Sequence, residues 1–282
     1  MNNKIIKIYS SNSIYSQGIR GIIKGMIENV IQSRELIWQL FIREFIARYK
    51  QSLLGWAWIF LMPIITMGTF LLLNISGIIR IGNIPVPYPI FGLLGFSLWQ
   101  ILANGWLVLT SSITGGGSLV TQINFPKEAL IFYSIGQVIV DFLIRLGLVL
   151  ITYLLYGLTP SIWFLLLPIY IFPIFLLTLG LGFLTATLNV IARDTKNFIE
   201  VGMSFFLFLM PIMYTIPEKG FLAKFNRYNP IYFLIDVPRS IIISGEVKYP
   251  LEFILSCLLA IIIFLCSWFI FYITQSKLAE RM

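Results

Sequence analysis

Apolar and polar positions along the chain separate into six long apolar stretches joined by short polar segments. They run Gly55–Leu73, Ile90–Thr114, Ala129–Tyr156, Ile162–Val190, Phe198–Ile216 and Leu251–Ile273. A helix of about 20 apolar residues, rising 1.5 Å per residue, crosses the hydrocarbon core of a bilayer. Each stretch reaches or approaches that length. Backbone polar groups in lipid must find partners within the spanning segment, which a helix provides. The pattern therefore predicts an all-α membrane protein with six transmembrane helices.

Ahead of the first stretch the pattern changes twice. Residues 1–32 mix polar and aliphatic positions and read as a partly ordered cytoplasmic arm. From Ser33 to Gln51, Trp38, Phe41, Ile42, Phe45, Ile46 and Tyr49 recur at helical spacing, with Arg43, Glu44, Arg48 and Lys50 off that face. Residues 33–51 are thus expected to form an amphipathic interface helix, aromatic side in the membrane surface and basic groups toward head groups or water. A helix packed on a partner fits the same pattern. Residues 52–282 then make up the transmembrane domain.

The joints have their own signals. Pro85, Pro87 and Pro89 mark an extended outer loop, Gly115-Gly116-Gly117 ends the second span, and QINFPKE (Gln122–Glu128) forms a short inner loop. Pro168 and Pro173 are candidate kinks in span four. Ala192-Arg193-Asp194-Thr195-Lys196 turns the chain into span five, with Arg193 and Asp194 expected to cap and orient it. Residues 217–250 are too polar to span. The run Ile231–Ile243, interrupted by Asp236, Pro238 and Arg239, reads as outer re-entrant or interfacial helices.

Composition narrows the function. With 58% hydrophobic and 11% charged residues, there is room for a membrane domain and loops but no separate globular domain. The net charge of +8 follows the flanks of the spans and argues for membrane topology, not nucleic-acid binding. Basic residues concentrate in the N-terminal arm, which puts the N-terminus, and with six spans the C-terminus, in the cytoplasm. The chain has no histidine, which weighs against zinc hydrolysis and Ser-His chemistry; no metal site is expected. Cys257 and Cys266 share one span, about 13 Å apart on a helix, too far for a disulfide. The N-terminus shows no cleavable signal-peptide pattern. No G-x-x-x-x-G-K-[ST] phosphate loop is present either, so any ATP hydrolysis would belong to another chain.

Several short motifs occur in order. They are Arg43-Glu44-Phe45, Arg48-Tyr49-Lys50-Gln51-Ser52, Leu54-Gly55 with Trp58, and Pro63 in span one. Asn124-Phe125-Pro126 precedes span three and Leu188-Asn189 to Arg193-Asp194 closes span four. Pro211-Ile212-Met213-Tyr214 ends span five, and Asn229-Pro230 lies outside. Together, over residues 33–282, the chain resembles the membrane subunit of ABC-2 type polysaccharide exporters, which move O-antigen, capsule or teichoic acid chains on polyprenyl carriers. The resemblance implies a non-catalytic permease of the bacterial inner membrane, working as a homodimer with two copies of an ATP-binding subunit. ATP and Mg would sit on that partner, and this chain would hold no cofactor of its own. The cargo would be a polyprenyl-phosphate-linked glycan.

The same resemblance assigns candidate sites. Asn124, Phe125, Pro126, Lys127 and Glu128, with Arg193 and Asp194, would couple to the ATPase; an ordinary inter-helix turn is the plainer alternative. Arg43, Arg48, Tyr49, Lys50, Ser52 and Gly55 would receive the lipid head group, since guanidinium groups bind phosphate bidentately and small residues allow close approach. Routine positive-inside anchoring is the alternative there. Trp56, Trp58, Phe60, Phe205, Phe206, Phe208 and Tyr214 would line a channel on which sugar faces slide, or else pack. Asp141 and Arg145, four apart in span three, read first as a mutually neutralising pair and second as a proton relay.

Two other functions fit parts of the pattern. One is an ABC-2 exporter of a drug or small lipid. The other is an integral-membrane glycosyl- or acyltransferase acting on a polyprenyl lipid, which the missing histidine and the scattered acids count against.

Overall fold

Helices account for all the regular structure among the described residues of the computed structural model, which are 18–50, 57–78, 81–117 and 125–278, less the side chains of 19, 48–50, 59 and 276–278. In chain order they are α1 (Gly18–Gln32), α2 (Arg34–Lys50), α3 (Ala57–Ile75), α4 (Tyr88–Thr110), a short α5 (Ser112–Gly115) and α6 (Glu128–Leu155). A 3-10 turn, Ile162–Leu166, leads into α7 (Leu167–Ile191). Then come α8 (Thr195–Leu209), α9 (Phe221–Arg227), α10 (Pro230–Ser244) and α11 (Pro250–Leu278).

Four helical stretches are long and apolar enough to cross a membrane: Tyr88–Thr110, Glu128–Leu155, Ile162–Ile191 and Pro250–Gln275. The first and fifth predicted spans are helical over shorter lengths. α3 has an apolar portion, Phe60–Ile75, and α8 stops at Leu209 although the apolar run continues to Ile216. Pro168 falls in the first turn of α7, where its missing N–H costs nothing, while Pro173 lies inside the helix.

The core is built on α7, which packs most extensively against α11 and α4; α4 in turn packs against α6. Small residues allow these approaches, as is usual where helices meet in lipid. Gly180 lies against the backbone of Phe264 in α11, and Gly182, two residues on and so on the opposite side, lies against Leu109 in α4. Gly105 of α4 meets Thr178 and Val138. Trp99, Phe142 and Phe183 are among the largest buried side chains, and Phe183 packs beside Trp268 and Phe271.

Part of the predicted arm is structured. Residues 18–32 are the helix α1, whose Ile22 and Met26 pack with Tyr272 of α11. α2 carries two apolar faces. Leu40 is buried and Phe41 lies against Gly136 of α6, whereas Trp38, Ile42 and Ile46 remain exposed. The exposed stripe is half of the one predicted to face the membrane surface. Of the rest, Phe41 is a protein contact and stacks with Phe45.

Candidate functional site

Four helices, α3, α4, α6 and α8, line a cavity of about 690 Å³. α3 contributes Trp58, Met62, Pro63 and Thr66; α4 contributes Phe96, Trp99, Gln100, Ala103, Asn104 and Leu107. α6 contributes Asp141 and Arg145, and α8 contributes Glu200, Met203, Ser204 and Leu207. The polar members come in i,i+4 pairs, which share one face of a helix. Gln100 with Asn104, Asp141 with Arg145 and Glu200 with Ser204 therefore converge from three helices. Asp141 and Arg145 are buried, at 4% and 8% exposure. Charges inside an apolar span are costly and usually face an interior or aqueous cavity, as these do.

At one end of the molecule residues 125–128 close onto both α1 and α11. Glu128, the first residue of α6, is fully buried. Its Oε1 accepts from Trp268 Nε1 (2.9 Å) and its Oε2 from Asn29 Nδ2 (3.2 Å). The backbone N–H of Lys127 donates to Gln275 Oε1 at 3.2 Å, and the Lys127 ammonium sits 4.3 Å from the Phe125 ring centroid. Burial pushes the Lys127 ammonium below its usual pKa. Phe125, Lys127 and Glu128 thus point inward, and Pro126 is half-buried. Trp268→Phe should cost about 1–3 kcal/mol, because one oxygen of a buried carboxylate loses its donor; thermal unfolding in detergent measures it.

At the other end, the chain leaves helix after Leu209 and runs buried through Met210–Tyr214. Its carbonyls need partners there. Arg239 of α10, 3% exposed, donates to Ile212 O (2.8 Å) and Pro211 O (3.2 Å), pairs with Asp236 and lies over the Phe91 ring at 4.1 Å. Tyr232 donates to Asp236 (2.8 Å), and Asn226 Nδ2 donates to Leu209 O (2.9 Å). Asn229 caps α10 by accepting from the Ile231 N–H, and Gly245, at φ 76°, ends it in the left-handed region. Asp236 and Arg239 also border a second pocket of about 260 Å³ with Asn83, Lys248 and Tyr249.

Of the predicted channel aromatics, Trp58 lines the cavity. Phe60 is half-buried, Phe205 is exposed, and Phe206 packs near Phe225. Phe208 stacks on Phe70, and the buried Tyr214 donates to Phe208 O at 2.7 Å. Trp56 lies outside the described residues. So do Asn124, Ser52 and Gly55, and the side chains of Arg48, Tyr49 and Lys50 are not described. Arg43 is exposed and pairs with Glu44 at 2.7 Å. Arg193 and Asp194 are exposed at the start of α8, and here the expected cap is corrected. The Asp194 side chain makes no cap bond; instead the Thr195 hydroxyl donates to Ala192 O at 2.7 Å. Phe125, Lys127 and Glu128 are buried, unlike the exposed Arg193 and Asp194.

Sequence reasoning passed over Gln100, Asn104, Glu200 and Arg239. The first three carried a signal, polar residues four apart inside or beside an apolar run. Arg239 carried none beyond its position in a polar interruption.

Comparison with known proteins decides the family. Residues 35–243 match the ABC-2 type transporter family. The chain belongs to it. This ABC-2 transporter chain is similar to an O-antigen export system permease protein of Myxococcus xanthus, 27% identical over 213 residues, 74% of this chain and 81% of the relative. It is likewise similar to an O-antigen export system permease protein of Klebsiella pneumoniae, 25% identical over 207 residues, 72% of this chain and 78% of the relative. The match spans α2 through most of α10, so the cavity, Glu128 and the Arg239 clamp fall within the ABC-2 region, whereas the partners of Glu128 and Lys127 on α1 and α11 lie outside it.

Proposed function

We propose that this chain is the transmembrane permease subunit of an ATP-driven exporter that carries a polyprenyl-linked polysaccharide outward across the bacterial inner membrane. The observation that carries the reading is the ABC-2 family match together with two relatives named as O-antigen export permeases. Those names favour a polysaccharide over a drug or small lipid. ATP and Mg belong to a separate nucleotide-binding subunit, in two copies beside two copies of this chain.

The Glu128 node supports six crossings with both ends of the chain on one side. Asn29, Glu128 and Gln275 meet at one end of the bundle, so an even number of crossings separates each from the next. α4 alone between residues 29 and 128 would be odd, and a crossing by α3 restores the even count. Likewise α6, α7 and α11 between 128 and 275 are odd, and a crossing by α8 with its extension through Tyr214 restores it. The basic arm makes the shared side cytoplasmic.

In this arrangement the loop ending at Glu128, with exposed Arg193 and Asp194, faces the ATPase. Arg43, Arg48 and Lys50 of α2 lie where a phosphate head group arrives from the inner leaflet. Arg48→Gln should reduce surface polysaccharide severalfold while the permease still inserts and co-purifies with its ATPase. Surface immunoblotting in a deletion strain complemented with each variant tests this. Unchanged surface polymer in the deletion strain itself would overturn the export reading.

A further inference from the structure

We infer that the cavity between α3, α4, α6 and α8 is a saccharide-binding subsite that takes uncharged or amino-bearing sugar units and turns away acidic ones. The inference rests on the export reading for its cargo but is argued from the cavity itself. Its volume, about 690 Å³, lies within the roughly 300–1,000 Å³ typical of sites that bury small ligands. That is room for a short run of sugar rings.

Its walls combine the two kinds of group that a sugar ring needs. One face of a pyranose is a patch of C–H bonds, which pack on an aromatic plane. Trp58, 44% exposed and part of the lining, offers one. The ring edge carries hydroxyls that both donate and accept. Carboxylates accept only, guanidinium donates only, and amides do both. Asp141, Glu200, Arg145, Gln100 and Asn104 supply all three types in one cavity. A site for an acyl chain would have no use for this set, and four of the five arise in spans that otherwise favour apolar residues.

Charge then sets the selectivity. Two carboxyl groups stand against one guanidinium, so the lining is formally negative by one. A uronate or phosphate-bearing unit would lose its water shell beside that excess in a poorly screened interior, where like-charge contacts are costly. An amino sugar gains there, and a neutral one is indifferent.

The test is equilibrium binding of three probes to the full-length protein in lipid nanodiscs: tetrasaccharides of glucose, of glucosamine and of galacturonic acid. Glucosamine and glucose oligomers should each bind at least tenfold more tightly than the galacturonate oligomer. Glu200→Lys should reverse the order of glucosamine and galacturonate, and Trp58→Ala should weaken all three. Galacturonate binding as tight as glucose binding in the unsubstituted protein overturns the selectivity, whether or not the variants fold. Failure of all three probes to bind overturns the subsite. The export reading stands or falls separately, on surface polymer in the deletion strain and on recovery of the ATPase.

Discussion

Arg239→Met should be among the most destabilising single substitutions in the protein, costing about 3–5 kcal/mol as expected for one partner removed from a buried ion pair. The methionine would fill much of the volume and keep the contact with Phe91. It would leave the Asp236 carboxyl with Tyr232 as its remaining described side-chain donor, and the carbonyls of Pro211 and Ile212 with no guanidinium. Thermal unfolding in detergent, read by size-exclusion fluorescence, gives the loss. A double variant, Arg239→Met with Asp236→Leu, separates the causes. It relieves the orphaned acid but not the two carbonyls, so it should recover only part of the stability. Full recovery would mean that the carbonyl bonds contribute nothing.

The second large effect concerns Gly180. A Cβ there would stand 2.9 Å from both the Cα and the N of Phe264. These are backbone atoms in the middle of α11 and cannot rotate away, so Gly180→Val must push α7 and α11 apart. Overpacking of this kind costs about 1–3 kcal/mol, and a backbone clash belongs at the upper end. Gly147 of α6 is the control, since a Cβ there meets nothing within 4 Å. Gly147→Ala should instead gain roughly 0.5–1 kcal/mol from reduced chain entropy. Equal losses at both positions would refute the packing argument.

How far the sequence reveals this protein depends on the range of the interactions involved. The helices α4, α6, α7 and α11 follow from apolar runs, because length and hydropathy are local properties. The end of α8 does not. The apolar run continues from Phe198 to Ile216, yet the helix stops at Leu209, and the buried carbonyls left outside it are met by an arginine 27 and 28 positions away. Glu128 reads as a loop residue beside a basic neighbour. Its burial depends on Asn29 and Trp268, which no local pattern connects to it. The same holds for residues 18–32, whose apolar face becomes meaningful only once Tyr272 is beside it.

The candidate site was legible in half of its members. Asp141 and Arg145 stand out because their spacing places them on one face of an otherwise apolar helix. That face meets Gln100, Asn104 and Glu200 only through the packing of α4, α6 and α8. Among the described aromatics expected to line a channel, Trp58 lines the cavity, Phe205 is exposed, and Phe206, Phe208 and Tyr214 contact other groups of the chain. With 16% aromatic residues in the chain, ring identity alone has little power to select.

α8 has a mechanical consequence. Its 15 residues form a rod about 22 Å long, with the exposed Arg193-Asp194 turn at one end and the Arg239 clamp at the other. A rod of that length transmits an axial push almost without compression. Force applied at the turn arrives at Met210–Tyr214, where the helix has already given way to turns and bends gripped by α10. The cavity-facing residues Met203 and Leu207 ride on the same rod. Any stroke delivered at one surface therefore moves the cavity wall and the far latch together, as a single strut.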